Sequence, residues 1–441
     1  MSDNAASPEG NPRVGFASTR APTIALAMLT VVYAFNFIDR QILVILQEAI
    51  KADMGLSDAQ LGLLTGFSFA VIYVTAGIPI AYWADRGNRK NIIALALAVW
   101  SGMTALSGMA QNYSQLLLAR IGVGLGEAGG SPPAHSMISD YYPPEKRGTA
   151  LSIYSGGLYF GILMGYVIGG AVADIVGWRY TLMLVGIPGV IFAVVLAAVV
   201  KEPPRGSWES PEVNAYKPTL GDTARLLISQ RSFCWLALAT AVHNFAGYGT
   251  GNFSASLYLR NHGLSLTQVG MLLSIAGGLS GMIGVFLGGY LGDKLGAKDK
   301  RWYLWVPAWG GLLSAPTSLI YFLTDNTTLA IICQFLSTLT FSMFLGCCLA
   351  ISHTLVHPAM RAFTSAVLFF ILNLIGLGLG PLTTGLISDA LAPTYGINSL
   401  RYAMVIVGLV GTAAIPMFYM ASRYLPGDLA RGHGVSQANG E

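Results

Sequence analysis

Four ionised side chains stand where a bilayer-spanning helix least tolerates them. Asp39 and Arg40 interrupt the apolar run 23–47, within Asn36-Phe37-Ile38-Asp39-Arg40, and Arg120 and Glu127 interrupt the run 114–138. Charges at such depth are costly, so they border a cavity, a partner or a transport pathway. Helical rise places Asp39 about 16 Å from the Ile50 end of its run, and Arg120 about 9 Å and Glu127 about 20 Å from Ser114. With the two runs as neighbours, all four share a layer roughly 10 Å deep. Arg120 and Glu127, two turns apart, lie on one helix face.

Two chemistries fit this set. One is a closed cluster of two acids and two bases that only holds helices together. The other is exchange: an acid takes and releases a proton while an arginine alternates between that acid and an anionic substrate. A buried ion pair often costs more in desolvation than it returns, which favours exchange. Moving a guanidinium toward or away from a buried carboxyl switches its proton affinity. Asp39 and Glu127 are the candidate proton sites. Arg40 and Arg120 are the candidates for a phosphate or carboxylate head group, because the planar guanidinium binds two oxygens at once.

Further candidates are weaker. His243, Phe245 and Tyr248 in the run 232–259, with Asn36 and Asn373, offer the aromatic surface and scattered polar groups of a cavity wall. His353 and His357 are one turn apart but have no acidic or cysteine partner at matching spacing, so no metal and no cofactor are expected. An enzyme would have to be built on Glu127, His135 or Asp140, with no metal motif, nucleophile elbow or phosphate loop in support. A membrane enzyme and a channel therefore stand as the alternatives to a transporter.

The elements that position these residues follow from composition. Of 441 residues, 54% are hydrophobic and 10% charged, against about a quarter charged in soluble proteins. The chain is a polytopic membrane protein. Its dispersed net charge of +4 gives no sign of a nucleic-acid partner. Cys234, Cys333, Cys347 and Cys348 all sit in apolar stretches and read as buried thiols. Runs of the roughly 20 apolar residues that a crossing needs occur at 23–47, 59–83, 91–110, 114–138, 147–173, 179–200, 232–259, 267–292, 302–323, 328–356, 361–388 and 399–423. No segment shows the alternation of a membrane β-strand.

The Pro- and charge-rich stretch 201–231 divides the runs six and six. The expected organisation is a disordered amino-terminal segment 1–21 without a cleavable signal, a six-helix bundle 22–200, a linker 201–231, a second bundle 232–424 and a tail 425–441. Lys51, Arg179, Arg260 and Arg401 fall on one side of the membrane. Arg40 and Arg120 lie within runs, and the other basic residues fall on the side of the two termini. That asymmetry predicts cytoplasmic termini. Short loops suggest a bacterial inner membrane and a monomer surrounded by lipid.

The halves repeat one another. Asp85-Arg86-Gly87-Asn88-Arg89-Lys90 follows the second run, and Asp293-Lys294-Leu295-Gly296 follows the eighth. Pro144-Glu145-Lys146-Arg147 precedes the fifth run and Pro358-Ala359-Met360-Arg361 the eleventh. Gly161-x3-Gly165 with Asp174 in the fifth is matched by Gly376-x3-Gly380 with Asp389 in the eleventh. Arg179-Tyr180 and Arg401-Tyr402 open the sixth and twelfth runs. Glycines four apart allow close backbone approach, and two faces are expected: Gly161, Gly165, Gly169 and Gly170, and Gly376, Gly380 and Gly385.

This pattern resembles the major facilitator superfamily, whose fold is all-α, with twelve transmembrane helices in two pseudo-symmetric six-helix bundles. The 85–90 segment is similar to the family's loop between helices 2 and 3, with Ala81 and Asn88 replacing two of its glycines. The resemblance implies that Asp85, Arg86, Arg89, Asp293 and Lys294 form a gating loop that latches one conformational state, the carboxylate facing another helix's amino terminus. Tyr166 stands where the family's antiporters carry proline after glycine; here Gly380-Pro381 carries it instead.

FNFIDRQILVILQEAIKADMGLSDAQLGLL (35–64) and RIGVGLGEAGGSPPAHSMISDYYPPEKRGTALSIYSGG (120–157) resemble the Spinster branch. The resemblance implies a secondary transporter working by alternating access, proton-linked in some members. Its substrate would be an amphipathic anionic lipid such as a lysophospholipid or a sphingosine 1-phosphate-like molecule, with Asp39, Arg40, Arg120 and Glu127 in the central cavity. Carriers of sugar phosphates and small organic anions share parts of the same blocks and form the alternative.

Overall fold

The computed structural model describes residues 20–208, 219–357 and 360–438, with 431–438 described by backbone alone. The amino-terminal segment 1–19, linker residues 209–218, the Pro358-Ala359 step and residues 439–441 lie outside the described residues. All described regular structure is helical, the form in which a chain surrounded by hydrocarbon satisfies its own backbone hydrogen bonds.

The first half holds α1 (Arg20–Met54), α2 (Asp58–Arg86), α3 (Arg89–Ser107), α4 (Tyr113–Glu127 and Ser131–Tyr141), α5 (144–176) and α6 (178–199). The second holds α7 (Arg231–Gly251 and Ser254–Asn261), α8 (Leu266–Gly296), α9 (Trp302–Leu323), α10 (Thr327–Thr354), α11 (Arg361–Ile371, Leu372–Leu379 and Gly380–Tyr395) and α12 (Ser399–Gly411 and Ala414–Ala438). Eight helical stretches are long and apolar enough to cross a bilayer. Two of them, Pro144–Val199 and Arg361–Ala430, each hold two crossings, and α4 and α7, each broken within its length, supply the other two. Among the described residues twelve crossings result, as the apolar runs predict, and the start of α1 and the end of α12 lie on one face, called here the termini face.

Local sequence explains the breaks. In α4 the helix stops at Ala128 and restarts at Ser131, with Pro132-Pro133 in its first turn, where a missing amide donor is no loss. α5 and α6 join directly at Gly177, whose φ of 78° and ψ of 167° suit glycine and strain other residues. π-helical turns at Leu63–Phe67 in α2, Ser274–Leu279 in α8 and Leu372–Leu379 in α11 mark irregular points in helices that meet across the two halves.

Glycines set the packing within each half. Gly157, Gly161, Gly165 and Gly169 of α5 face α1, and a Cβ at Gly157 or Gly161 would collide with the carbonyl oxygen of Thr30 or Ala34. Gly376 and Gly380 of α11 face α7 in the same way, against Asn244 and Phe245. Two glycines grouped with these by spacing point elsewhere. Gly170 faces Leu266 of α8 and Gly385 faces Asp58 of α2, so both are contacts between halves.

The linker is more ordered than its composition suggests. Residues 201–208 lie along the first half, and Leu220–Ser229 is a helix capped by Thr219, with Thr223 and Leu227 buried and Leu220 and Ile228 exposed. α12 runs on past residue 425, the expected start of the tail, to Ala438. Its buried Asp428 accepts the Ser232 amide at 2.7 Å and so caps the start of α7. Cys333, Cys347 and Cys348 are buried, but Cys234 is exposed, contrary to its apolar context.

Candidate functional site

The charged residues of α1 and α4 meet. Arg40 Nε donates to Glu127 Oε2 at 2.7 Å. Asp39, Arg120 and Glu127 are 2%, 3% and 1% exposed, and Asn36 and Thr104 adjoin Glu127 and Asp39 respectively. The Arg40 guanidinium also lies over three rings, 5.2 Å from Phe37, 4.7 Å from Phe69 and 5.2 Å from Tyr73. Such a setting binds a cation through the ring faces. The cluster is not saturated: Asp39 Oδ1, Glu127 Oε1 and Arg120 Nε are buried without a hydrogen-bond partner. Buried polar atoms are normally paired, so these three mark places where a proton, water or ligand atom completes the site.

Two cavities adjoin the cluster. The smaller, about 50 Å³, is lined by both arginines, Phe37, Phe69 and Tyr248. The acids do not line it; they sit behind the arginines. The larger, about 330 Å³, lies mostly within the second half and is bounded by α7, α9, α10 and α12. Gln41 and Tyr248 line both. Among the described residues no aspartate, glutamate, lysine or arginine lines the larger cavity. Several of its hydroxyls are already spent on carbonyls of their own helices, as in Thr250 to Ala246 and Ser314 to Gly311.

The five cavity-wall candidates divide. His243 and Tyr248 line the larger cavity, His243 stacked on Phe341 at 3.7 Å and bonded to its carbonyl oxygen at 3.0 Å. Asn36 is buried beside the charges and lines neither cavity. Phe245 and Asn373 line neither: Phe245 turns its backbone to Gly380, and Asn373 donates to the Phe369 carbonyl at 2.9 Å. Gln41 and Gln334 are wall residues that sequence reasoning missed, whereas Asn244, which stands beside His243 in the same apolar run, lines the cavity as that run's composition suggests. Gln41 had a signal, being a polar neighbour of Arg40 inside an apolar run.

At the termini face the loop residues make contacts within their own half. Arg89 is buried and holds Asp140, Glu202 at 2.6 Å, Ser136 at 2.8 Å and the Pro203 carbonyl at 3.0 Å. Arg205 donates to the carbonyls of Ala84 and Gly87 at 2.7 Å each, closing the end of α2. Arg86 lies 3.6 Å from the Tyr82 ring centroid, and Asp85 is exposed. Asp293 accepts from Tyr303 at 2.8 Å, and Lys294 reaches Tyr290.

Contacts between the halves gather at the opposite, far face. Gln47 Nε2 donates to the Asn252 carbonyl at 2.6 Å and Ser256 at 2.7 Å. Arg260 bridges Glu48 at 2.6 Å and Asp58 at 2.5 Å, and Lys51 and Ser388 donate to the same Asp58. Asp389 accepts the amides of Asp58 and Ala59, and Asp174 accepts the amide and hydroxyl of Thr267. The central region is thus sealed on the far face.

Known proteins are similar to this chain in sequence and fold. A family model described as Major Facilitator Superfamily matches residues 29–381. The chain is 31% identical over 405 residues to an MFS-type efflux pump of Mycolicibacterium smegmatis, covering 91% of this chain and 92% of that one. It is 26% identical over 427 residues to the sphingosine-1-phosphate transporter SPNS2 of Danio rerio, covering 91% and 84%. A bacterial homologue of the human lysosomal transporter Spinster, solved in an inward-facing and unoccupied conformation, matches with a TM-score of 0.86 at 33% identity, over 93% of this chain and 99% of that one.

Proposed function

The chain belongs to the Major Facilitator Superfamily of secondary transporters, and from that premise we propose that it carries an amphipathic anion in a proton-linked cycle of alternating access. The observation that carries this reading is Arg40 at the wall of the small cavity, paired with Glu127 behind it, with Arg120 Nε unpartnered. A phosphate or carboxylate entering there competes with Glu127 for Arg40. A buried carboxylate stripped of its guanidinium is strongly disfavoured, so Glu127 takes a proton as the anion binds. Asp39, behind the arginines with an unpartnered oxygen, is the second acid on the proton path. The uncharged larger cavity takes the rest of the molecule, Gln41 and Tyr248 forming the passage between the two.

This division of charge supports a lysophospholipid or sphingosine 1-phosphate-like solute. A small organic anion or sugar phosphate would use the arginines and leave the larger cavity to water. The site residues serve two bundles, 22–200 and 232–424, with cytoplasmic termini in a bacterial inner membrane. The far-face seal then leaves the cavity facing the cytoplasm.

Binding in weakly buffered detergent solution tests the coupling. A lysophospholipid should bind with proton uptake, and Glu127→Gln should bind it with uptake abolished. Proton-free binding by the unaltered protein would overturn the coupling scheme. Tighter binding of a sugar phosphate than of the lysophospholipid would overturn the substrate class.

A further inference from the structure

The repeated aspartates, Asp174 and Asp389, have no role in the charged centre, which lies in α1 and α4. Their surroundings share one design. α2 opens with Ser57-Asp58-Ala59-Gln60-Leu61-Gly62 and α8 with Ser265-Leu266-Thr267-Gln268-Val269-Gly270. Each serine and glutamine form a reciprocal capping box, which satisfies two of the amides that a helix start leaves unpaired. Further amides are met from the other half. Asp389 accepts Asp58 N at 2.9 Å and Ala59 N at 2.8 Å, and Asp174 accepts Thr267 N at 2.8 Å and Thr267 Oγ1 at 2.5 Å. A carboxylate at a helix amino terminus is also favoured by the helix dipole.

Glycines make room for each contact. One turn before each aspartate stand Gly170 and Gly385. A Cβ at Gly170 would collide with Leu266 O, and one at Gly385 with Asp58 O. In return, a Cβ at Gly270 would collide with Tyr166 O, and one at Gly62 with Pro381 O. Gly-x3-Asp on one helix therefore fits Ser-x-x-Gln-x-Gly on another, twice: α5 on α8 and α11 on α2. Both contacts join the two halves at the far face.

We infer that these paired elements are a two-part clasp that holds the far face shut and must release at both places before the cavity opens there. The clasp is distinct from the charge cluster around Arg260, which touches the α11–α2 site through Asp58 but not the α5–α8 site. Its operation does not depend on which solute is carried, nor on a proton being coupled.

Distance measurement between spin labels tests this on the full chain in liposomes. Labels at Gln111 and Thr328, exposed at the far ends of α4 and α10, would be placed with Cys234 replaced by Ser. Asp389→Asn puts an amide donor against a donor already present, and Asp174→Asn removes the charge from the single oxygen that accepts both Thr267 donors. Each should raise the ratio of open to closed far-face distances about tenfold, as expected for loss of a charge-assisted hydrogen bond, and the double variant should raise it further. Gly385→Ala should act in the same direction with the aspartates intact. An unchanged distance distribution in a monodisperse double variant overturns the clasp. Should the double variant fail to fold, Asp174→Asn alone decides, because Asp174 is exposed and its loss leaves the core unaltered.

Discussion

Arg40 and Arg120 both act on Glu127 yet are held differently. Arg40 has a carboxylate and three rings, whereas Arg120 makes no ion pair among the described residues and lies 5.9 Å from the Phe69 ring centroid. Arg120 is thus the freer of the two to meet an incoming anion. Arg120→Ala should weaken binding of a phosphate-bearing ligand by about tenfold to a hundredfold, the scale of one charged hydrogen bond, and an uncharged analogue far less. Titration of both ligands into purified protein checks it, and equal losses would remove the head-group role. Asp39→Asn should abolish uptake driven by an imposed pH gradient in proteoliposomes while the protein still melts cooperatively. Uptake at the unaltered rate would leave Asp39 a packing residue.

The four charges were legible because each breaks an apolar run. Their pairing was not, since Arg40 meets Glu127 only through the rotation of α1 against α4. The asparagines show the same limit: a polar residue in a span advertises its cost but not its direction, so Asn373 was grouped with cavity residues although it bonds back to its own helix.

Among the elements, the α1–α5 contact is a row of glycines against backbone, which leaves no room for added atoms. Gly161→Ala should lower the melting temperature in detergent, because overpacking costs about 1–3 kcal/mol. Gly156→Ala, with nothing within 4 Å of its added Cβ, should leave the temperature unchanged, and equal effects would refute the packing account. Four-residue spacing revealed these faces in the sequence. It also swept in Gly170 and Gly385, which are one residue or one turn beyond the row and turn to the other half.

The linker was less legible. Its Pro- and charge-rich composition marks a division of the runs without showing any contact, but Glu202 and Arg205 tie its start to Arg89 and to the end of α2. Glu202→Ala should speed tryptic cleavage after Arg205 several-fold, and an unchanged rate would show that the strap does not protect it.

For the whole molecule, Gln47 and Ser256 lie side by side across the halves. A Gln47→Cys/Ser256→Cys pair, with Cys234 replaced by Ser, should on oxidation stop net transport but spare ligand binding, and reduction should restore transport. Continued transport while the pair is oxidised would mean that the far face need not open. Twelve crossings and a central division could be read along the chain, because composition and glycine spacing are local. The far-face seal could not: Asp174 and Asp389 were visible as repeated landmarks, but their partners lie in the opposite half.

The two-way match between Gly-x3-Asp and Ser-x-x-Gln-x-Gly has a consequence for how such a chain arises. A single six-helix unit bearing both sequences would meet a copy of itself through an isologous interface, each subunit offering what the other receives. Fusion of the two subunits would keep that interface while releasing the copies to diverge. The acids and arginines then concentrate in one copy, the uncharged chamber in the other, and the ancestral dimer contact survives as the symmetric part of an otherwise specialised pair.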